Sequence, residues 1–383
     1  MVTVFNILLV IVCIAYISYV LHTSLQKIPK QVLKIYVVAF TLLHFGMMAV
    51  FLYLLNQLAN NDAQRFYNTA FQASSWVDLF GLGNRFMAFI IYPFAKLGVT
   101  IQVLFLVFST ISFKGFINLF ELMNFETLHT KHKLVLILFL TPTIHFWTVS
   151  LGKEALLLWL MVALLKIIQL KKYNWQLGLL FTAIFLIRPH VFFVLLLSLF
   201  IVVMLDKNTS KKIKQTILRL ALLSFIVLSP IFLLFFLKIE TLSLAALQNY
   251  YTQFMEYTQN RGNAPISIAN TTIFTRIFYL LVMPLPFLYE LKSYLQWVVA
   301  IENIVYVFAF IYVIYYFIRY GCSYNKLSNE FKFALVSSIL LIVLFASYLY
   351  NVGLGNRMRL MFFPYIFYFL SITLKPTLPK EKT

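Results

Sequence analysis

Long apolar segments follow one another along the whole chain, and lysine-containing connections separate many of them. A helix needs about 20 mostly apolar residues to cross a bilayer. Hydrophobic residues make up 62% of the 383 residues and charged residues 11%, whereas a soluble domain carries about 25% charged residues. Because so few polar residues cannot cover the surface of a soluble fold, this pattern excludes a soluble enzyme, a disordered chain and a secreted disulfide scaffold. It predicts a polytopic helical membrane protein.

The predicted fold class is all-α, a polytopic transmembrane helical bundle that forms a single integral membrane domain over residues 1–383. About eleven spans are expected, at 3–21, 35–55, 99–121, 134–147, 154–170, 176–187, 191–205, 217–237, 295–318, 333–350 and 360–374. Residues 273–292 contain Pro284 and Pro286, and we expect them to form a re-entrant or interfacial element instead of a further crossing.

The lysines predict which ends of the spans face the cytoplasm. Cytoplasmic connections are enriched in Lys and Arg, and lysines occupy every second connection of this chain. These lysines are Lys27, Lys30, Lys34, Lys131, Lys133, Lys171, Lys172, Lys207, Lys211, Lys212, Lys214, Lys326, Lys332, Lys375, Lys380 and Lys382. The N-terminus is therefore expected outside and the C-terminus in the cytoplasm, with segments 56–98 and 238–294 covering the outer face. No nucleic-acid partner is needed to explain the net charge of +19.

The arginines show the opposite distribution. Seven of the nine lie on the predicted outer side, and they are Arg65, Arg85, Arg188, Arg261, Arg276, Arg357 and Arg359. Only Arg219 and Arg319 lie near the predicted inner face. A guanidinium group matches phosphate oxygens bidentately and stays charged in a low-dielectric site. The outer arginines therefore suggest a site for a phosphate or pyrophosphate headgroup, and the alternative is that they pair with outer acids or anchor to lipid phosphates.

A first cluster of candidate site residues follows the second predicted span and contains Asp62, Arg65 and Tyr67. A carboxylate at this position can act as the general base on an acceptor hydroxyl or hold a divalent metal. Asp62 alone is a poor set of ligands, so no metal-binding residues are assigned and a divalent cation remains open as a cofactor. The alternative, which is compatible with these roles, is that Asp62 caps an interfacial helix.

A second cluster lies at the turn after the fourth predicted span. It contains His145, Trp147 and the adjacent pair Lys153 and Glu154. Charges at one bilayer depth are costly unless they face water or substrate. The cluster is therefore either a structural turn with an aromatic membrane anchor or one wall of a site.

Two further clusters lie at other predicted outer turns. The first is Arg188-Pro189-His190, in which Arg188 is either a phosphate ligand or a snorkelling side chain at a proline turn. The second, before the last span, contains Arg357 and Arg359, whose spacing predicts a clamp for an anion. The nearby glycines do not form a nucleotide fingerprint, because no strand precedes them.

The order of these clusters resembles the polytopic membrane glycosyltransferases of the GT-C type and related bacterial polysaccharide-assembly proteins. The residues that carry the resemblance are Asp62, Ala63, Tyr67, Pro142, Trp147, Lys153, Glu154, Arg188, Pro189, His190, Met283, Pro284, Leu285, Pro286 and Glu302. The resemblance implies a polyprenyl-phosphate- or pyrophosphate-linked sugar donor, a glycan acceptor and a catalytic role for Asp62. The chain lacks the acidic pair and the soluble periplasmic domain of many such enzymes, and its outer arginines also fit an O-antigen-type repeat-unit polymerase.

The resulting hypothesis is a glycosyltransferase at the outer leaflet of a bacterial inner membrane. Its expected phosphate ligands are Arg65, Lys153, Arg188, Arg357 and Arg359, and its expected sugar or acceptor contacts are Tyr67, His145, Trp147, His190, Tyr289 and Glu290. One alternative is a flippase for the same lipids, which needs charges along a path through the bilayer. Only Lys114, Lys166 and Glu302 are candidates for such a path. The other alternative is a non-catalytic scaffold in an envelope complex.

Overall fold

The computed structural model describes most of the chain. The described residues are 2–55, 57, 61–123, 132–171, 174–207, 209–237, 239, 241, 243–258, 265–291, 293–320 and 327–373. The predictions made for Arg261, for Lys131, Lys172 and Lys326, and for the three lysines after residue 373 lie outside these residues.

The chain is all-helical where the structure describes it, with 81% helix, and this confirms the all-α part of the predicted fold class. The described ranges contain no strand, and Pro265 and Asn351 form an isolated antiparallel bridge. The helices are α1 Val2–Lys27, α2 Gln31–Leu54, α3 Asp62–Gln72, α4 Asn84–Lys96, α5 Ile101–Met123, α6 His132–Phe139, α7 Pro142–Thr148, α8 Lys153–Gln169, α9 Trp175–Ile187, α10 Pro189–Leu205, α11 Lys211–Ile231, α12 Leu244–Thr258, α13 Ile273–Val282, α14 Tyr294–Tyr320, α15 Asn329–Ser347, α16 Val352–Met358 and α17 Phe363–Thr373.

Six helical segments in the described part of the chain are long and apolar enough to cross a membrane, which indicates an integral membrane protein. They are Val4–Lys27, Gln31–Leu54, Ile101–Met123, Lys211–Leu234, Tyr294–Tyr312 and Asn329–Ser347. In the first and fourth of these segments, only 11% of an apolar stretch of 18 residues is buried, so most of the side chains of these two segments face outward. Each of the eleven predicted spans contains a helix, but the number of crossings and their orientation stay predictions.

Prolines divide two of the predicted elements. The predicted span 134–147 consists of two helices, because α6 ends at Phe139 and α7 begins at Pro142, whose missing N–H is tolerated at the first helical position. The predicted element at 273–292 is helical only over α13, which ends at Val282. The residue before a proline avoids the helical conformation, so Pro284 explains why the helix stops there.

Apolar packing holds the helices in two clusters. The larger cluster contains residues of α5, α8, α10, α15 and α17, and the smaller one packs α3 and α4 against the first half of α5. A Cβ atom on Gly115 of α5 would lie 3.1 Å from the Cα atom of Trp159 of α8, so the glycine permits this close helix contact. The two clusters bring the beginning of α3 to the beginning of α8, where the candidate site lies.

Candidate functional site

The side chain of Asp62 is directed toward arginines rather than toward the end of its own helix. Asn61 caps α3, since its Oδ1 accepts the Ala63 backbone N–H at 2.8 Å. The alternative in which Asp62 is the cap is therefore wrong, and Asp62 is the first helical residue. One turn later, Arg65 donates from Nη2 to Asp62 Oδ1 at 2.5 Å. Phe66 lies on the buried face of α3, which leaves Asp62 and Arg65 at its edge.

Glu154 is the second residue of α8 and its side chain is almost completely buried, with 1% of its surface exposed. A carboxylate is stabilised at the beginning of a helix by the unpaired backbone N–H groups and the helix dipole. Gly152 precedes the helix, and a Cβ atom there would lie 3.0 Å from Glu154 Oε2. The glycine therefore leaves room for the carboxylate to fold back over the turn.

Arg188 occupies the junction between α9 and α10. Its N–H donates to Ile184 O at 2.7 Å and ends α9, and Pro189 then begins α10. The guanidinium of Arg188 extends to α8, where Nη2 donates to Glu154 Oε1 at 2.5 Å. Its Nε is buried and makes no hydrogen bond in the described part of the chain.

Arg357 joins the two acids. Its Nη1 donates to Asp62 Oδ2 at 2.6 Å, while Nε and Nη2 donate to the two oxygens of Glu154 at 2.7 and 3.0 Å. Burial on its own would lower the pKa of Arg357, but Glu154 and Asp62 together raise it above its ordinary value. We call Asp62, Arg65, Glu154, Arg188 and Arg357 the charged network. It connects α3, α8, the α9–α10 junction and α16.

Lys153 adds a further positive charge beside the network. Its side chain is half-buried, and within the described ranges its ammonium group makes no hydrogen bond or ion pair. Burial and the neighbouring Arg188 lower the pKa of Lys153 to about 7, although Glu154 acts in the opposite direction. With Lys153 included, four cations face two acids, Asp62 and Glu154. The site therefore has an excess of positive charge and unused donors.

The turn that leads into α8 and the charged network is fixed against α5. The hydroxyl of Ser109 on α5 donates to Val149 O at 2.9 Å, and Val149 belongs to the turn that leads into α8. Ser109 lies eight residues after Ile101, which corresponds to about 12 Å along a helix. The exposed fraction of the side chains rises from 1% at Glu154 to 54% at Arg65, so the site opens toward Arg65.

Two of the predicted sugar or acceptor contacts, Trp147 and His190, lie beside the network, and a third, Tyr67, lies on the same helix as Asp62. The ring of Trp147 lies under the Arg357 guanidinium, 5.7 Å from the ring centroid to Cζ. Tyr67 is on α3, and its hydroxyl donates to Val99 O at 2.9 Å. His190 follows Arg188 by two residues, interacts electrostatically with Arg188 and Lys153, and packs its ring against Tyr348.

The other three predicted contacts, His145, Tyr289 and Glu290, lie apart from the charged network. His145 is fully buried, with Nδ1 3.1 Å from Nδ1 of His44 and Nε2 2.7 Å from Phe139 O. Tyr289 and Glu290 lie in the non-helical segment after α13, where Tyr289 is half-buried and Glu290 is exposed. No contact in the described residues joins any of the three to the charged network, and their roles stay predictions.

Arg359 lies outside the charged network, in a second polar cluster. It is 2% exposed and donates to Leu280 O, Met283 O and Asn303 Oδ1 at 2.5 to 2.6 Å. These bonds satisfy carbonyls at the end of α13, which explains the burial of a charged residue there. Glu302 lies in the same region, with Oε1 accepting the Thr143 N–H at 2.9 Å and Oε2 without a hydrogen-bond partner in the described residues.

Glu154 is the residue whose importance the sequence pattern understated. In the structural-turn alternative it pairs with Lys153 at a helix start, but it accepts from Arg188 and Arg357 instead. These partners are 34 and 203 residues away along the chain. One signal was available, since a carboxylate at the beginning of an otherwise apolar helix is costly unless it has a partner.

The described residues contain no group of three or more His, Cys, Asp or Glu side chains placed to hold a metal ion. No protein-family model, curated protein or solved structure matches the chain. Its resemblance to GT-C-type enzymes therefore rests on the sequence clusters alone.

Proposed function

We propose that the chain is a membrane glycosyltransferase that uses a polyprenyl-phosphate- or pyrophosphate-linked sugar at the outer leaflet of a bacterial inner membrane. The observation that carries the proposal is the charge balance of the site. Four cations, Arg65, Lys153, Arg188 and Arg357, face two acids, and the donors of Lys153 and of Arg188 Nε are unused. An anionic headgroup supplies the acceptors and the negative charge that such a site lacks.

The three parts of the site have different roles in this proposal. Arg357 holds Asp62 and Glu154 in place through three hydrogen bonds. Lys153 and Arg188 bind the phosphate oxygens, and Arg65 closes the exposed side. The hydrogen bond to Glu154 orients Arg188, so its charge stabilises the departing phosphate without reorganisation, and Lys153 adds a second positive charge nearby.

Asp62 is the proposed general base. In the transfer step, the acceptor hydroxyl oxygen forms a bond to the anomeric carbon and its proton passes to Asp62. The bond between that carbon and the phosphate oxygen breaks, and its electron pair leaves with the phosphate. Arg65 donates to Asp62 Oδ1 at 2.5 Å. A phosphate that attracts the exposed Arg65 would free this oxygen for the acceptor, which couples donor binding to activation of the base.

The first test of the proposal is binding of the anionic donor. We expect purified protein in phosphatidylcholine nanodiscs to bind a polyprenyl phosphate and to bind the matching polyprenol, which lacks the phosphate, much more weakly. Lys153→Met is expected to lower the affinity for the polyprenyl phosphate about 10- to 100-fold, because one charged hydrogen bond contributes about 1.5–3 kcal/mol. Microscale thermophoresis or native mass spectrometry measures both affinities.

The matched control is Lys96→Met. Lys96 lies at the end of α4, where it donates to Phe71 O at 2.8 Å and lies over the Tyr92 ring, away from the charged network. We expect this variant to bind like the wild type. Equal binding of the polyprenyl phosphate and the polyprenol, or equal affinities of the two lysine variants, would contradict the proposed phosphate site and favour a purely structural network.

Binding is also expected to weaken as the pH rises through about 7. Burial and Arg188 keep the pKa of Lys153 near 7, below its ordinary value, so the ammonium is charged below this pH and neutral above it. The other charges facing Lys153 are Glu154, Arg357 and Asp62. Since an anion stabilises the charged form, the affinity should fall about tenfold between pH 6 and 8.

This pH dependence is measured with a glycosyl polyprenyl phosphodiester, whose single negative charge does not titrate in the same range. In Lys153→Met the affinity should be low at every pH and almost independent of pH. If the variant keeps the slope of the wild type, another group causes the titration and the role given to Lys153 is wrong.

A further inference from the structure

A lipid-facing groove lies between α1, α5 and α8, on a part of the bundle that the proposed function does not use. Its volume is about 350 Å³, within the range of about 300–1,000 Å³ that is usual for small-ligand sites. The residues that line it are Val12, Cys13, Tyr16, Val107, Thr110, Ile111, Lys114, Leu156 and Trp159. Val12 is 61% exposed and Trp159 36% exposed, so the groove is open to the surroundings of the bundle. α1 and α5 are both candidate spans, and these surroundings are therefore lipid.

Lys114 is the single charged residue among these lining residues. It lies on α5 and is half-buried, and it makes no hydrogen bond or ion pair within the described part of the chain. An ammonium group next to an apolar groove is costly without an anionic partner. Lys114 interacts electrostatically with Glu121, Lys27 and Lys166. Because Lys27 already pairs with Glu121 at 3.3 Å, an excess of two positive charges remains.

The groove begins beside the first turn of α8, since Leu156 follows Glu154 by two residues, and its lysines lie toward the end of the bundle opposite to the charged network. α8 begins beside the network at Glu154 and reaches Lys166 twelve residues later, which is about 18 Å along the helix. Lys27 and Glu121 pair near the last residues of α1 and α5. Lys114 therefore lies between the lysines at this end of the bundle and the apolar lining of the groove, which continues toward the middle of the bundle.

We propose that this groove is a binding site for an anionic phospholipid of the leaflet on the side of Lys27 and Lys166. The phosphate binds Lys114 and Lys166, and one acyl chain lies in the apolar groove against Trp159. Two features favour this occupant over a helix of a second copy. The charge at one end of the groove requires an anion, and the rest of the lining is suited to a hydrocarbon chain. The site is independent of the proposed glycosyl transfer.

Trp159 provides a direct spectroscopic test. The full chain is placed in phosphatidylcholine nanodiscs that contain a small fraction of lipid brominated on its acyl chains, either anionic phosphatidylglycerol or zwitterionic phosphatidylcholine. We expect stronger quenching of tryptophan fluorescence by the brominated anionic lipid, and Trp159→Phe should remove this difference. Lys114→Met should reduce the preference for the anionic lipid roughly fivefold, the effect of one lysine near a membrane surface.

The matched control is Lys30→Met, at an exposed lysine just before α2 that does not line the groove. Its lipid preference should equal that of the wild type, and the melting temperatures of all variants should be similar. Equal quenching by the two brominated lipids, or an unchanged preference in Lys114→Met, would overturn the proposed site. Quenching that decreases as the protein forms dimers would assign the groove to a second copy of the chain and would also overturn it.

Discussion

Replacing Glu154 by glutamine is expected to lower the free energy of unfolding by about 3–5 kcal/mol, the usual cost of removing one partner from a buried ion pair. The Glu154 side chain is 1% exposed and accepts hydrogen bonds from both Arg188 and Arg357. Glutamine keeps the shape of the side chain but removes its charge. Arg188 then has no carboxylate within the described network, and Arg357 keeps only Asp62. Denaturation in detergent, followed by tryptophan fluorescence, measures the change.

The control for this prediction is Glu256→Gln, because Glu256 is exposed on α12 and lies outside the network. Its effect should stay within about 0.5 kcal/mol. A double variant, Glu154→Gln with Arg188→Gln, removes the unpaired charge together with its partner. It should lose less stability than the sum of the two single variants, since residues in one ion network are coupled. If the double variant instead loses as much stability as the two single variants together, the interaction between Glu154 and Arg188 contributes nothing to the stability of the fold.

Most of the helices could be predicted from the sequence, because each is marked by a local pattern. The predicted span 35–55 corresponds to Gln31–Leu54, and 99–121 corresponds to Ile101–Met123. Apolar runs and the lysines that flank them are properties of adjacent residues. The number of crossings could not be settled in this way, because helices such as α9, with 13 residues, are short for a span and their position depends on packing between helices.

The composition of the site was less predictable than the helices. Asp62, Arg188 and Arg357 were expected to face one region, and the structure joins them because Arg357 contacts Asp62 and Glu154 contacts both arginines. Arg359 was expected beside Arg357, but a change of direction after α16 turns it toward the end of α13. Two residues at positions i and i+2 of a turn can point to different partners, and only the tertiary packing decides which. The sequence therefore indicated which residue types carry the charge but not how they pair.

The proposed transfer chemistry makes its strongest prediction at Asp62. We expect Asp62→Asn to reduce turnover about 10²–10⁴-fold, the usual contribution of a positioned general base. Asparagine has nearly the same shape, and Glu154 still holds Arg357 through two hydrogen bonds, so the network should stay assembled. The assay follows release of the polyprenyl phosphate from a polyprenyl-phosphate-linked sugar in the presence of a glycan acceptor.

Binding and turnover should respond in opposite directions to this substitution, and that contrast separates catalysis from structure. The loss of a negative charge beside Arg65 and Arg357 makes the site more positive, so the affinity of Asp62→Asn for a polyprenyl phosphate should rise while its turnover falls. A purely structural Asp62 would instead lower the melting temperature, the affinity and the turnover together. Near-normal turnover in the variant would remove Asp62 as the base, and the excess of cations would then favour a site that binds the lipid headgroup without transferring its sugar.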